Sequence, residues 1–165
     1  MMKRRAWLMV CLASVLGGPA YGVEDAGRTS IGKVSVTVYY ATNSDPMAAG
    51  PKALPAADEV ATRLRLDPHL RFAHYRLLGA DAQPLLRSYE SWAEPLKPSD
   101  EVLVRFEAQG RPTKNSAVLD LELWLARKKI IKTDARLEGG KPLFILGPEW
   151  RGGRLIIAVA LASGK

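Results

Sequence analysis

The chain has little of what most catalytic and metal sites are made from. Among its 165 residues there is one cysteine, Cys11, and there are two histidines, His69 and His74. A single thiol excludes an intrachain disulfide, a paired redox site and a multi-thiolate metal site. The two histidines, five positions apart, point to opposite faces of a strand and lie well apart around a helix, so neither regular element aims both at one ion. Aromatic residues make up only 7%. No apolar run reaches the roughly 20 residues that a membrane-spanning helix requires. The nucleophile elbow Gly-x-Ser-x-Gly, the zinc motif His-Glu-x-x-His, the EF-hand loop, the P-loop and the dinucleotide fingerprint are all missing. No catalytic residue, metal or cofactor is therefore expected.

What is present begins with a tripartite start. Lys3, Arg4 and Arg5 precede an apolar run of 11 residues, Ala6 to Leu16, and Gly17-Gly18-Pro19 then leads to Ala20-Tyr21-Gly22. Basic head, short apolar run and small-residue exit read as a signal peptide over 1–22, cleaved after Gly22. The expected product is exported, periplasmic or extracellular, with no transmembrane segment after cleavage. The full sequence holds 24 Lys+Arg against 17 Asp+Glu, and losing the three basic residues of the leader leaves 21 against 17, or +4. Cys11 leaves with the leader, so the remaining fold depends on its core. A charge of only +4 in an exported protein disfavours nucleic acid as a partner.

Residues 23–32 are polar and aperiodic and are expected to form a flexible leader, with a single β domain over 33–162. Lys33 to Thr42 alternates, with Val34, Val36, Val38 and Tyr40 on one face, which predicts a strand. Asp58 and Glu59 followed by Arg63 and Arg65 suit the dipole of a short helix near 56–66, ended by Asp67-Pro68. Further strands are predicted at 70–78, 85–92, 101–108, 116–126, 129–137, 143–146 and 155–161. Turn residues separate them, including Gly79-Ala80-Asp81, Arg127-Lys128, Gly147-Pro148 and Gly152-Gly153. Leu143 to Leu146 and Leu155 to Leu161 are apolar on both faces, which places them centrally in a sheet. The expected fold is all-β: an antiparallel β-sandwich or partly open barrel of about eight strands with one short helix.

HYRLLG (His74 to Gly79), the alternating strands and GKPLFILGPEWRGGRLIIAVAL (Gly140 to Leu161) together resemble small signal-peptide-bearing bacterial envelope proteins that are themselves uncharacterised. The resemblance covers about half the chain. It implies an exported β domain and carries over no activity, cofactor or catalytic residue.

The densest charge cluster is Arg63 to Arg76, where Arg63, Arg65, Arg71 and Arg76 face the single carboxylate of Asp67. Unbalanced positive charge favours an acidic protein face or an anionic surface. The expected partner is another envelope protein or an anionic envelope surface, met by Arg63, Arg65, Arg71 and Arg76 with Tyr75 and Trp124 as apolar anchors. The function that follows is a noncatalytic binding or accessory module of the bacterial cell envelope. The alternative is a carbohydrate-binding or hydrolytic domain using Trp124 and Trp150 with a carboxylate pair such as Asp120 and Glu122, or Glu90 and Glu94.

Overall fold

The computed structural model describes residues 24–113 and 115–162. The expected signal peptide, with Cys11, lies outside the described residues. Among the described residues nine strands form two antiparallel sheets with one α-helix. The order along the chain is β1 (Ser30–Thr42), β2 (Leu54–Pro55), α1 (Asp58–Leu66), β3 (His74–Leu86), β4 (Ser91–Ala93), β5 (Val102–Thr113), β6 (Ser116–Leu125), β7 (Lys128–Glu138), β8 (Leu143–Trp150) and β9 (Gly153–Leu161). One sheet runs β2-β3-β1-β9-β8, the other β4-β5-β6-β7. They stack as an all-β sandwich, not a closed barrel.

The alternation read from sequence sets the layers. Val34, Val36 and Val38 on β1 and Leu155, Ile157 and Val159 on β9 face Val104 and Phe106 on β5 and Leu119, Leu121 and Leu123 on β6, and all are buried in the main core. The other face of the five-stranded sheet is apolar too. Tyr39, Ala41, Ile156 and Ala158 pack there against Ala61 and Leu64 of α1 and against Leu70. The helix therefore serves as a third layer over that sheet.

Several boundaries differ from the sequence reading. A one-turn 3-10 helix at Ala26–Arg28, capped by Asp25, precedes β1, which starts at Ser30. Gly79-Ala80-Asp81 is not a turn: β3 runs through it, and Gly79 is there because the backbone of Pro95 crosses close to it. The segment expected as a strand at 85–92 divides into the end of β3, a turn and the short β4. The tight turn after β6 uses Ala126-Arg127, one residue earlier than expected, with φ of 47° and 64°. Gly147-Pro148 falls inside β8, where the register with β9 shifts between Leu146 and Glu149.

The placement of β8 is the largest correction. Its two apolar faces predict a central strand, yet it is the edge of its sheet. Leu143 and Ile145 turn to the main core and Phe144 and Leu146 turn to the α1 layer. A third layer makes an edge strand as apolar as a central one.

Candidate functional site

The segment Arg63 to Arg76 folds as a strap on the outside of the five-stranded sheet. α1 stops where Pro68 forbids its continuation, and Asp67 Oδ1 accepts the amide of His69 at 2.8 Å, starting a 3-10 turn over Pro68–Leu70. Leu70 is thereby returned to the apolar layer. Tyr75, at the start of β3, then locks the strap. Its hydroxyl donates to Leu70 O and accepts the amide of Phe72, both at 2.8 Å. Arg65 donates to Ala73 O at 3.3 Å and lies 5.4 Å over the Tyr75 ring, while Arg71 Nε donates to Arg65 O at 3.0 Å.

Between this strap and β8 lies a groove of about 670 Å³, lined by Arg63, Leu66, Leu70, Pro142, Leu143 and Phe144 among others. Leu66, the last residue of α1, is 77% exposed at its rim. Arg63 lies 5.6 Å over the ring of Phe144 and has no carboxylate or other hydrogen-bond acceptor among the described residues. The groove thus has an apolar floor, and its edge carries both Arg63, which makes no ion pair among the described residues, and the carboxylate of Asp67.

The six residues singled out from sequence separate into three groups. Arg63, Arg65 and Arg71 are exposed on the strap. Tyr75 is not an exposed anchor: it is 6% exposed and its hydroxyl is consumed by the backbone. Arg76 is half-buried, donating to Ala53 O, with its Nε buried and unpartnered, so it braces the loop before β2. Trp124 sits on the outer face of the four-stranded sheet, opposite Leu103 and away from its core-facing neighbour Leu123, whereas the strap covers the outer face of the other sheet. Strand periodicity put Trp124 on the outside; only the stacking of sheets decided that this outside is not the strap's. Leu66, Leu143 and Phe144 were missed because the groove joins positions far apart in the chain.

Around Trp124 the outer face is a closed polar network. Arg105 pairs with Glu90, with Glu107 at 2.8 Å and with Asp120 at 3.2 Å, and Lys132 reaches Asp120 at 3.2 Å and Glu122 at 3.4 Å. Trp92 and Trp124 lie 5.8 Å apart, inclined at 55°, and each donates its Nε1 at 3.0 Å to a carboxylate, Glu90 and Glu122 respectively. Burial pushes the Glu122 carboxyl up, but donors from Trp124, Lys129 and Lys132 outweigh it and hold the group below the usual carboxylate range. At Asp120 burial is likewise outweighed by Lys132 and Arg105. The hydrogen bond from Arg105, joined by Trp92, depresses Glu90. Hydrolysis of a glycoside needs one carboxyl raised enough to act as an acid, and these three are all shifted the other way.

Trp150 closes a second cavity, of about 450 Å³, with Phe72, Asn43 and Arg151. Its Nε1 donates to Glu101 at 2.8 Å, its ring meets Tyr40 edge-on at 5.8 Å, and Arg151 covers it at 4.2 Å. No three of the described histidine, aspartate and glutamate residues come together as a metal site. No helix among the described residues is long and apolar enough to cross a membrane. Comparison with known protein families, curated proteins and solved structures finds no match for this chain.

Proposed function

We propose that this protein is a noncatalytic binding module of the bacterial cell envelope, exported with cleavage after Gly22, and that it holds its partner in the groove between α1 and β8. The reading is carried by one juxtaposition: Leu66 exposed above the Phe144 floor beside Arg63, which makes no ion pair among the described residues, on a strap where Arg63, Arg65 and Arg71 outnumber the one carboxylate, Asp67. An apolar surface rimmed by charge is the arrangement by which proteins dock, the apolar part giving affinity and the charge giving rate and orientation. The expected partner is an envelope protein presenting acidic residues.

The test replaces Leu66 with a photo-reactive amino acid in producing cells and follows one cross-linked species across variants. Arg63→Glu should weaken that cross-link at low salt and, because the side chain is exposed, cost folding only about 1 kcal/mol for the lost helix-end charge and the contact with Phe144. Trp124→Ala, on the far side of the sandwich, should leave it intact. Normal cross-linking by Arg63→Glu, or loss on Trp124→Ala, would move the docking surface elsewhere. Intact-mass analysis of the same material checks export: a chain beginning at or close to Val23 supports it, and a full-length cytoplasmic product rejects it.

A further inference from the structure

The strand that floors the groove is the edge of its sheet. β9 pairs one side of β8, through Leu143↔Val159, Phe144↔Ala158, Ile145↔Ile157 and Leu146↔Ile156, and the other side has no strand among the described residues. In an extended strand alternate residues direct N–H and C=O to opposite sides, so half of these backbone groups look outward unpaired. Proline brackets the open stretch. Pro142 and Pro148 leave Leu143 to Gly147 between them; Gly147 is buried with its carbonyl taken by Arg154, so the open edge is Leu143 to Leu146, and proline at each end prevents a longer pairing from propagating.

We infer that β8 accepts an extended acidic segment of the partner as a sixth strand. This rests on the docking surface proposed above and names how it works. Side chains of an added strand alternate between two environments. One row continues the main core beside Leu143 and Ile145, which face it, and takes aliphatic side chains. The other row enters the groove beside Phe144, where Arg63 lies over the ring without an ion pair and the exposed Arg63, Arg65 and Arg71 outnumber Asp67, and takes carboxylates. The occupant is thus a segment of about five to seven residues in which aliphatic and acidic residues alternate. A second copy of this chain fits less well. Two β8 edges paired about a two-fold axis would bring the straps of both copies to the same face of the joined sheet, and because Arg63, Arg65 and Arg71 outnumber Asp67 on each this gathers like charge on one face.

The two sides of a peptide strand are chemically separable, and this gives the test. The probe is a fluorescein-labelled octapeptide of alternating valine and glutamate, titrated against the protein by anisotropy at low salt. Two further probes carry N-methyl groups on the valine amides or on the glutamate amides. Strand addition requires that one methylated probe lose at least tenfold in affinity while the other stays within about threefold, because only one set of amides faces β8. A probe with lysine in place of glutamate should bind at least tenfold more weakly, and Arg63→Glu should reverse that preference.

Equal binding by both methylated probes overturns strand addition. So does no binding by any probe, or a concentration-dependent dimer that forms instead. These failures differ from failure of the docking surface itself. If the Leu66 cross-link still depends on Arg63 while the methylated probes behave alike, the groove binds its partner by side chains alone; if the cross-link ignores Arg63, the groove reading falls as well.

Discussion

The carbonyl oxygen of Pro95 occupies the space that a β-carbon on Gly79 would need. β3 and the loop after β4 meet there backbone to backbone, and β3 carries an irregularity at the same place, where its register with β1 shifts between Val38↔Gly79 and Tyr39↔Leu77. Because the obstruction is main chain and not the end of a flexible side chain, it has nowhere to move. Gly79→Ala should cost about 1–3 kcal/mol of unfolding free energy, read from the midpoint of a urea titration. A cost below about 0.5 kcal/mol would show that the loop yields freely.

The charged face of the four-stranded sheet makes stability depend on acid. Glu122, Asp120 and Glu90 all hold their carboxyls below the usual range when folded, so the folded chain binds fewer protons than the unfolded chain at low pH. Their contribution is complete above the unfolded value of about 4 and disappears as pH falls through the lower folded values. Glu122→Gln should therefore melt about 5 °C below wild type at pH 7, with the gap closing towards pH 3. A gap that persists unchanged at pH 3 would assign the loss to packing and not to charge.

The β6–β7 hairpin is built on two residues ill-suited to it. Ala126 and Arg127 sit at φ of 47° and 64° between the paired residues Leu125 and Lys128. Left-handed backbone disfavours most side chains and suits asparagine and glycine. Ala126→Asn with Arg127→Gly should raise stability by about 1 kcal/mol, seen as a higher urea midpoint with an unchanged slope. Arg127 also pairs with Asp100 at 2.8 Å, but both are exposed, so losing the pair removes little.

Tyr75 supports the groove from behind. Tyr75→Phe keeps the ring under Arg65 but leaves Leu70 O and the Phe72 amide without the hydroxyl that joins them. The expected loss is about 1–3 kcal/mol. Hydrogen exchange should show it as faster opening of the strap over 67–73, with the main core unaffected. Equal acceleration in β1 and β9 would mean that strap and sandwich unfold as one unit.

The sandwich was legible in the sequence because a strand's two-residue period is a local property: Val34, Val36 and Val38, or Leu119, Leu121 and Leu123, declare a buried face without reference to anything distant. The helix was legible for the same reason, through its acidic start, basic end and proline stop. The candidate site was legible only in part. Arg63, Arg65 and Arg71 stood out as a local excess of charge, whereas their apolar counterpart, Phe144 and Leu143, lies on a strand near the other end of the chain.

Sequence alone therefore determined which faces are apolar, where most strands lie and that charge accumulates at Arg63 to Arg71, since each follows from neighbours along the chain. The tertiary structure decided which elements cover those faces. It placed β8 at an edge and laid α1 across the sheet, turned Tyr75 inward to hold the strap, drew Arg105 among four carboxylates and set Trp124 on the far side from Arg63. Those outcomes depend on how two sheets and a helix stack, and stacking is fixed by contacts between residues that the order of the chain does not bring together.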